Sequence, residues 1–358
     1  MKESNQRIGS FDALRIILSL FVILLHFNNS NGGNALKYTE NNMIGHEFLL
    51  VCESLAICAV NTFMILSGYF LYKKQMRRII KPILLILTVM GYNSFFTLIK
   101  MISVGQFSLG IYIRSLIPIN YFAWLYSVVY LLSPWINIMI KNVTKKHMQV
   151  LLILMLILFS VYPSIVDIYC GISGTVINGI STVSSTDSGS GYTLVNFIMM
   201  YCIGAYIQKY KCMIGHKKSM LGFVFCSICT FFLIHYTFNA IYYNNIAVVL
   251  SSVFLVLLFC EIKIKENIIV LTLSGLTFQV FVIHCCMYEI WEKKMGIKSI
   301  LSGNIAAVIG GSFLAVIVMY GFSVGVALVG RFISKPATYV LGKFVKGYYN
   351  IQTEREEK

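Results

Sequence analysis

Arg15 and His26 stand on one apolar stretch near the start of the chain, Phe11 to Phe27, FDALRIILSLFVILLHF. Polar side chains at membrane depth are expensive and mark substrate paths or proton relays by default. Their spacing of eleven residues makes about three turns at 3.6 residues per turn, so both side chains share a face. At 1.5 Å per residue they lie roughly 16 Å apart along the axis, one near each surface of a bilayer. An imidazole there can take a proton from a hydroxyl. Asp12, three residues before Arg15, is placed to be its counter-ion. The structural alternatives are a helix-to-helix hydrogen bond for His26 and an interfacial, snorkelling anchor for Arg15.

A second constellation runs from Tyr72 to Pro82, with Lys73, Lys74, Arg77, Arg78 and Lys81 inside it. Five cations in nine residues make a phosphate-binding surface, and arginine can hold phosphate through two hydrogen bonds. The same charges also serve as a basic inner flank in contact with anionic lipid heads. Just before them, Ser67-Gly68-Tyr69 ends an apolar run. A Ser-Gly pair there allows two helices to pack closely, or opens a polar notch. Two further patches set polar groups at membrane depth: Tyr121 to Tyr126, including Trp124, and Phe278 to Glu289, including His284. Interfacial aromatic belts account for the first. His284 reads as a second pathway residue or as a structural hydrogen bonder.

These groups need a scaffold, and the composition says which kind. The chain has 358 residues, 58% hydrophobic and 12% charged, with a mean hydropathy of +0.77. Soluble domains carry about 25% charged residues, so this is a polytopic membrane protein. Ten apolar stretches are long enough to span, near 11–28, 47–71, 82–100, 119–140, 149–167, 193–209, 219–236, 246–261, 267–289 and 303–330. The net charge of +15 comes from short loops rather than from a basic domain, which argues against nucleic acid as a partner. With the N-terminus in the cytoplasm, all but six of the 29 Lys and Arg fall on the inner side, as the positive-inside rule requires.

The expected fold is therefore all-α, with about ten transmembrane helices and both termini cytoplasmic. Residues 1–346 form one membrane domain, and 347–358 a polar cytoplasmic tail. The first stretch has no small-residue cleavage site and is not expected to be a cleaved signal. Ten cysteines are scattered, mostly within spans, and imply no disulfide framework. Cys226-x-x-Cys229 stands in an apolar run without a second pair, so no metal is expected. The stretch 171–192 is rich in Ser, Thr and Gly. It reads as a solvated loop, or as a cover over an outward-facing site for an uncharged polar acceptor.

The pattern resembles the acyltransferase-3 family of bacterial integral-membrane acyltransferases. FDALRIILSLFVILLHF is similar to that family's first span, with its arginine and a histidine eleven residues later. VNTFMILSGYFLYKK resembles its second span, and RRIIKP the basic motif that follows. NFIMMYCIGAYIQKY, WLYSVVYLLSP and LTFQVFVIH resemble later spans. The match runs through nearly the whole chain in order. Ile16, Asn61 and Lys81 stand where the family usually has glycine, proline and arginine.

The resemblance implies an acyltransferase of the bacterial plasma membrane. Its donor would be cytoplasmic acetyl-CoA or a related acyl-CoA, and its acceptor a hydroxyl on a cell-surface or lipid-linked glycan. His26 and Arg15 would be catalytic. Lys74, Arg77, Arg78 and Lys81 would hold the CoA phosphates, and Ser67, Tyr69, Trp124 and His284 would line the substrate path. A flippase or exporter of lipid-linked sugars, or a glycan polymerase, shares the many spans and basic inner loops. Transporters often carry internal repeats and broken helices in matching halves, and no repeat of fixed period is visible here.

Overall fold

The structure is a computed structural model that describes residues 9–30, 32–73, 79–175, 191–294 and 296–356, with the backbone alone at 289–294 and 336–356. The described residues fold into helices and turns. In chain order the helices are α1 (Gly9–Asn28), α2 (Ala35–Tyr38), α3 (Met43–Ala56), α4 (Ala59–Leu71), α5 (Ile80–Val104), α6 (Leu109–Ser115), α7 (Tyr121–Asn142) and α8 (Lys145–Leu156). Then follow α9 (Tyr162–Ser173), α10 (Leu194–Tyr210), α11 (His216–Ile234), α12 (Ile246–Glu261), α13 (Ile268–Ser274), α14 (Thr277–Lys294), α15 (Ile297–Leu301) and α16 (Ile305–Glu356). This is an all-α polytopic membrane protein. Among the described residues, eight helical stretches are long and apolar enough to cross a membrane, and the bent pair α13–α14 makes a ninth. The 17-residue α10 answers the remaining apolar stretch. Its residues Phe197, Met199, Met200 and Tyr201 are fully enclosed.

Three of the expected spans are interrupted, each for a physical reason. The span expected at 47–71 begins at Met43 and divides into α3 and α4 at Ile57–Cys58. The Cys58 carbonyl at the break accepts from the Thr62 N–H at 3.0 Å, and also from the Thr62 hydroxyl at 2.8 Å and the Ser252 hydroxyl at 3.1 Å. Such repair is what makes a break tolerable in lipid. In the span from Lys145, a π-turn over Ile157–Val161 joins α8 to α9 just before Pro163, as proline cannot donate to the helical ladder. The continuous span predicted at 267–289 is broken, with α13 and α14 meeting at 55° around Gly275–Leu276. Apolar residues continue on both sides of this break, so the sequence alone reads as one span. The final helix does not stop where its apolar stretch ends but continues to Glu356.

α4 and α10 form the tightest contact in the bundle. A Cβ at Gly68 would collide with the Tyr201 backbone, and one at Gly204 with the Ile65 carbonyl. The glycines therefore let two backbones meet, as in other close membrane crossings. Polar side chains fix the same junction. Asn61 donates to the Tyr243 carbonyl at 2.6 Å, and Asn196 donates to the Asn61 side chain at 3.0 Å. Lower down, Asn137 donates to the Leu71 carbonyl at 3.0 Å and accepts from the Tyr201 hydroxyl at 2.9 Å. Lys209 reaches the last turn of α7, donating to the Ile140 and Val143 carbonyls. A cation at a helix C-terminus satisfies orphan carbonyls and the helix dipole together.

Candidate active site

α1 crosses the middle of the bundle and presents Arg15, Ser19, Val22 and His26 along one stripe, at spacings of four, three and four. Arg15, Ser19 and Val22 line a cavity of about 340 Å³ between α1, α4, α5, α7 and the α13–α14 break. Its walls are mostly apolar, from Val60, Phe63, Leu66, Phe70, Leu85, Phe122, Phe278 and Phe281. Its polar groups are few: Arg15, Ser19, Ser67, Tyr126, Ser274 and Thr277. A concave apolar site with a handful of polar groups, in the range of about 300–1,000 Å³, is the usual form of a small-molecule site.

At one end Asp12 and Arg15 form the ion pair expected from their spacing, with Nη1 to Oδ1 at 2.7 Å. Asp12 also accepts from the Ser274 hydroxyl at 2.9 Å, which ties α1 to the end of α13. The Arg15 guanidinium lies 5.1 Å from the centroid of the Phe70 ring, within cation–π range. Asp12 is buried, so the arginine is held in place by a carboxylate and an aromatic face while bordering the cavity.

At the other end, one turn beyond Val22, His26 meets His284 of α14. His26 Nδ1 and His284 Nε2 are 3.0 Å apart. His284 Nδ1 lies 3.0 Å from the Val280 carbonyl. A carbonyl can only accept, so Nδ1 of His284 carries a proton and the neutral ring offers Nε2 as an acceptor. His26 Nδ1 must then be the donor, with the Val22 carbonyl as its second acceptor at 3.1 Å. Two backbone carbonyls thus set both tautomers and leave His26 Nε2 as an unprotonated, basic nitrogen. Tyr288 walls the pair, its ring 5.7 Å from His26 and 5.6 Å from His284. Its hydroxyl donates to the Ile23 carbonyl at 2.9 Å.

The chain also locks the end of α1 from outside. Gly33 N–H donates to the His26 carbonyl at 3.0 Å, and a Cβ at Gly32 would strike that same carbonyl. Glu53 of α3 is 1% exposed. Its two carboxylate oxygens accept from Asn28 and Asn29, each at 2.8 Å. The asparagines stand two and three residues after His26, so Glu53 fixes the azimuth of the last turn of α1.

The predicted site residues divide accordingly. Arg15 and Ser67 border the cavity, and His26 and His284 form a pair just beyond it. Tyr69 does not border this cavity. It is buried against Phe11 and Phe70, with centroid separations of 5.0 and 5.2 Å. Trp124 also stands apart from this cavity: half exposed on the bundle surface, it donates to the Pro118 carbonyl at 2.5 Å. Its neighbours Phe122 and Tyr126 face the cavity instead, as side chains two residues from it on a helix must turn away by about 200°. Lys81 is exposed at the start of α5, its ammonium 5.9 Å from the Tyr130 ring centroid. It stands one turn before the cavity residue Leu85. Lys74, Arg77 and Arg78, and most of the Ser/Thr/Gly-rich stretch (176–190), lie outside the described residues.

Glu53 and Cys285 were missed in the sequence. An acid within an apolar stretch, as in VCESLAICAV, is itself a signal of function at membrane depth. Cys285 carries no such signal, because cysteine is ordinary in a span. One ring nitrogen each of His26 and His284 and the Cys285 thiol lie within 4.8 Å of one another, and these are the described residues that could hold a soft divalent metal.

Fold and site together define a multi-pass membrane protein with a polar catalytic-type pair at one end of an intramembrane cavity. A family model, described as an acyltransferase domain, matches residues 8–324. The chain belongs to the acyltransferase-3 family and is a membrane acyltransferase. No curated protein and no solved structure matches it.

Proposed function

We infer that this protein moves an acyl group, most simply acetyl, from cytoplasmic acyl-CoA to a hydroxyl of a cell-surface or lipid-linked glycan at the bacterial plasma membrane. The observation that carries this reading is the cavity along α1, bordered by Arg15 at one end and leading to His26 at the other. The positive-inside rule puts the Arg15 end in the cytoplasm, with both termini. The CoA phosphates would then bind at the inner lip, where Lys81 precedes Leu85 and where Lys74, Arg77 and Arg78 stand in the sequence.

In this reading the pantetheine arm extends between Phe70, Phe122 and Phe278, whose apolar faces suit it, while Arg15 orients an amide or the thioester oxygen. The acceptor hydroxyl approaches from the outer side. His26 Nε2 takes its proton as the oxygen attacks the thioester carbonyl, and the CoA thiolate leaves. His284 accepts from His26 Nδ1–H and so steadies the imidazolium that forms, the role an orienting group plays for any catalytic base. Placing both substrates on one path supplies rate by positioning. The donor need not cross the membrane.

The test is transfer of radiolabelled acetyl from acetyl-CoA to surface glycan, in membranes carrying wild type, His26→Ala or Arg78→Ala. Label appears with wild type and is lost with His26→Ala at equal expression. Loss with Arg78→Ala is recovered at higher donor concentration. Wild-type protein that moves lipid-linked sugar while binding no acyl-CoA overturns the reading in favour of a flippase.

A further inference from the structure

We propose that Cys285 is the acyl carrier of this enzyme: the acyl group passes from CoA to the Cys285 thiol before it reaches the acceptor hydroxyl. The proposal rests on the acyl-CoA reading above and adds a covalent step to it.

Three observations carry it. The first is position. Val22 on α1 and Phe281 on α14 are the last cavity residues on their two stripes, and His26 and Cys285 each follow by four residues. A thioester drawn along the cavity past Phe281 therefore reaches both. The second is access. Cys285 retains accessible surface, whereas its neighbour His284 is fully buried, so of the two only the thiol is open to an incoming thioester. The third is connection. The Cys285 Sγ lies 3.7 Å from His284 Nε2, the same nitrogen that stands 3.0 Å from His26 Nδ1. A thiol beside an imidazole that is itself oriented by a third group is the signature of an activated nucleophile. Here the third group is the Val280 carbonyl, 3.0 Å from His284 Nδ1.

The chemistry balances without further reagents. In the first half, His284 Nε2 takes the thiol proton while His26 Nδ1–H turns to the Val22 carbonyl. The Cys285 sulfur attacks the thioester carbonyl, the bond to the CoA sulfur breaks, and CoA leaves as a thiol with the proton held by His284. One thioester replaces another. In the second half, His26 Nε2 takes the proton of the acceptor hydroxyl, whose oxygen attacks the acyl-cysteine. The His26 Nδ1 proton passes to His284 Nε2 and on to the departing Cys285 thiolate. The products are the acyl ester and the free thiol, and the His26 tautomer resets by exchange with water. Such a carrier lets CoA depart before the acceptor enters, so the two substrates never need to share the cavity.

The experiment uses purified full-length protein, [14C]acetyl-CoA and no acceptor, quenched and analysed by mass spectrometry and by neutral hydroxylamine. Wild type takes up to about one label per chain, removable by hydroxylamine and mapped to Cys285. His26→Ala becomes labelled but does not pass the label to glycan. Cys285→Ala takes no label, and its transfer to glycan falls at least a hundredfold, while its CoA binding stays that of wild type. Cys285→Ala that transfers within threefold of wild type overturns the carrier and leaves the acyltransferase reading intact, as does label mapped to any other residue. Wild type that neither labels nor transfers from any acyl-CoA overturns both.

Discussion

His26 Nδ1 and His284 Nε2 meet at 3.0 Å across α1 and α14, and this contact makes one imidazole the base and the other its support. Removing the base outright, His26→Ala, is expected to lower transfer by about 10²–10⁴-fold, the usual worth of a positioned proton acceptor. His284→Ala should also lower transfer, because it removes both this support and the acceptor of the Cys285 proton, although Nε2 of His26 survives. His284→Gln should recover part of that loss, as its amide oxygen can accept from His26 Nδ1–H. The check is the initial rate of glycan labelling at saturating donor; equal rates for His284→Ala and His284→Gln would remove the supporting role.

Glu53 holds Asn28 and Asn29 through separate oxygens. Glu53→Gln keeps the shape but leaves one asparagine amide facing another N–H donor. A buried donor left unsatisfied costs about 1–3 kcal/mol, which should be read as a lower Tm. If Glu53 sets the direction of His26, kcat falls several-fold while KM for the donor is unchanged. A drop in Tm with kcat intact would confine Glu53 to stability.

Asp12 bridges Arg15 and Ser274. Asp12→Asn keeps hydrogen bonding and loses the charge that anchors the guanidinium, so KM for acyl-CoA should rise several-fold with kcat little changed. Arg15→Lys should do the same, since lysine lacks the planar fork. Steady-state kinetics with varied acyl-CoA distinguishes this from a loss in the chemical step.

Gly68→Ala and Gly204→Ala each set a methyl against backbone atoms of the facing helix. Backbone cannot yield as a side-chain tip can, so each should destabilise by about 1–3 kcal/mol, the range for overpacking. Thermal unfolding in detergent gives the answer, and the double variant should show non-additivity because the sites share one crossing.

His235, just past the end of α11, bonds Glu47 through Nε2 at 3.1 Å. That hydrogen bond, foremost, raises the imidazole above its ordinary value of 6.5. A raised basic group contributes stability that is fully present below the unfolded value and is lost as pH rises through the folded one. The pair is exposed, so the effect is a few tenths of a kcal/mol. Wild type should lose its small Tm advantage over His235→Gln as pH rises from 6 to 8; an advantage that grows over that range would refute the assignment.

Much of this protein was written in its chain. Apolar runs fixed the spans, because hydrocarbon leaves the backbone few choices. The eleven-residue spacing of Arg15 and His26 placed them on one stripe, since helix geometry needs no partner to be known. The i, i+3 pairing of Asp12 with Arg15 was legible for the same reason, and so was the close packing at Ser67-Gly68. What the sequence could not reach were relations between helices. Nothing along the chain brings His284 to His26 across 258 residues, turns Tyr69 and Trp124 away from the cavity, or sets Glu53 beneath two asparagines. The break at Gly275 was hidden because apolar residues continue on both sides of it, and Cys285 because an apolar helix hides a thiol among its neighbours. Local geometry settled which residues share a face, and three-dimensional packing decided which faces meet.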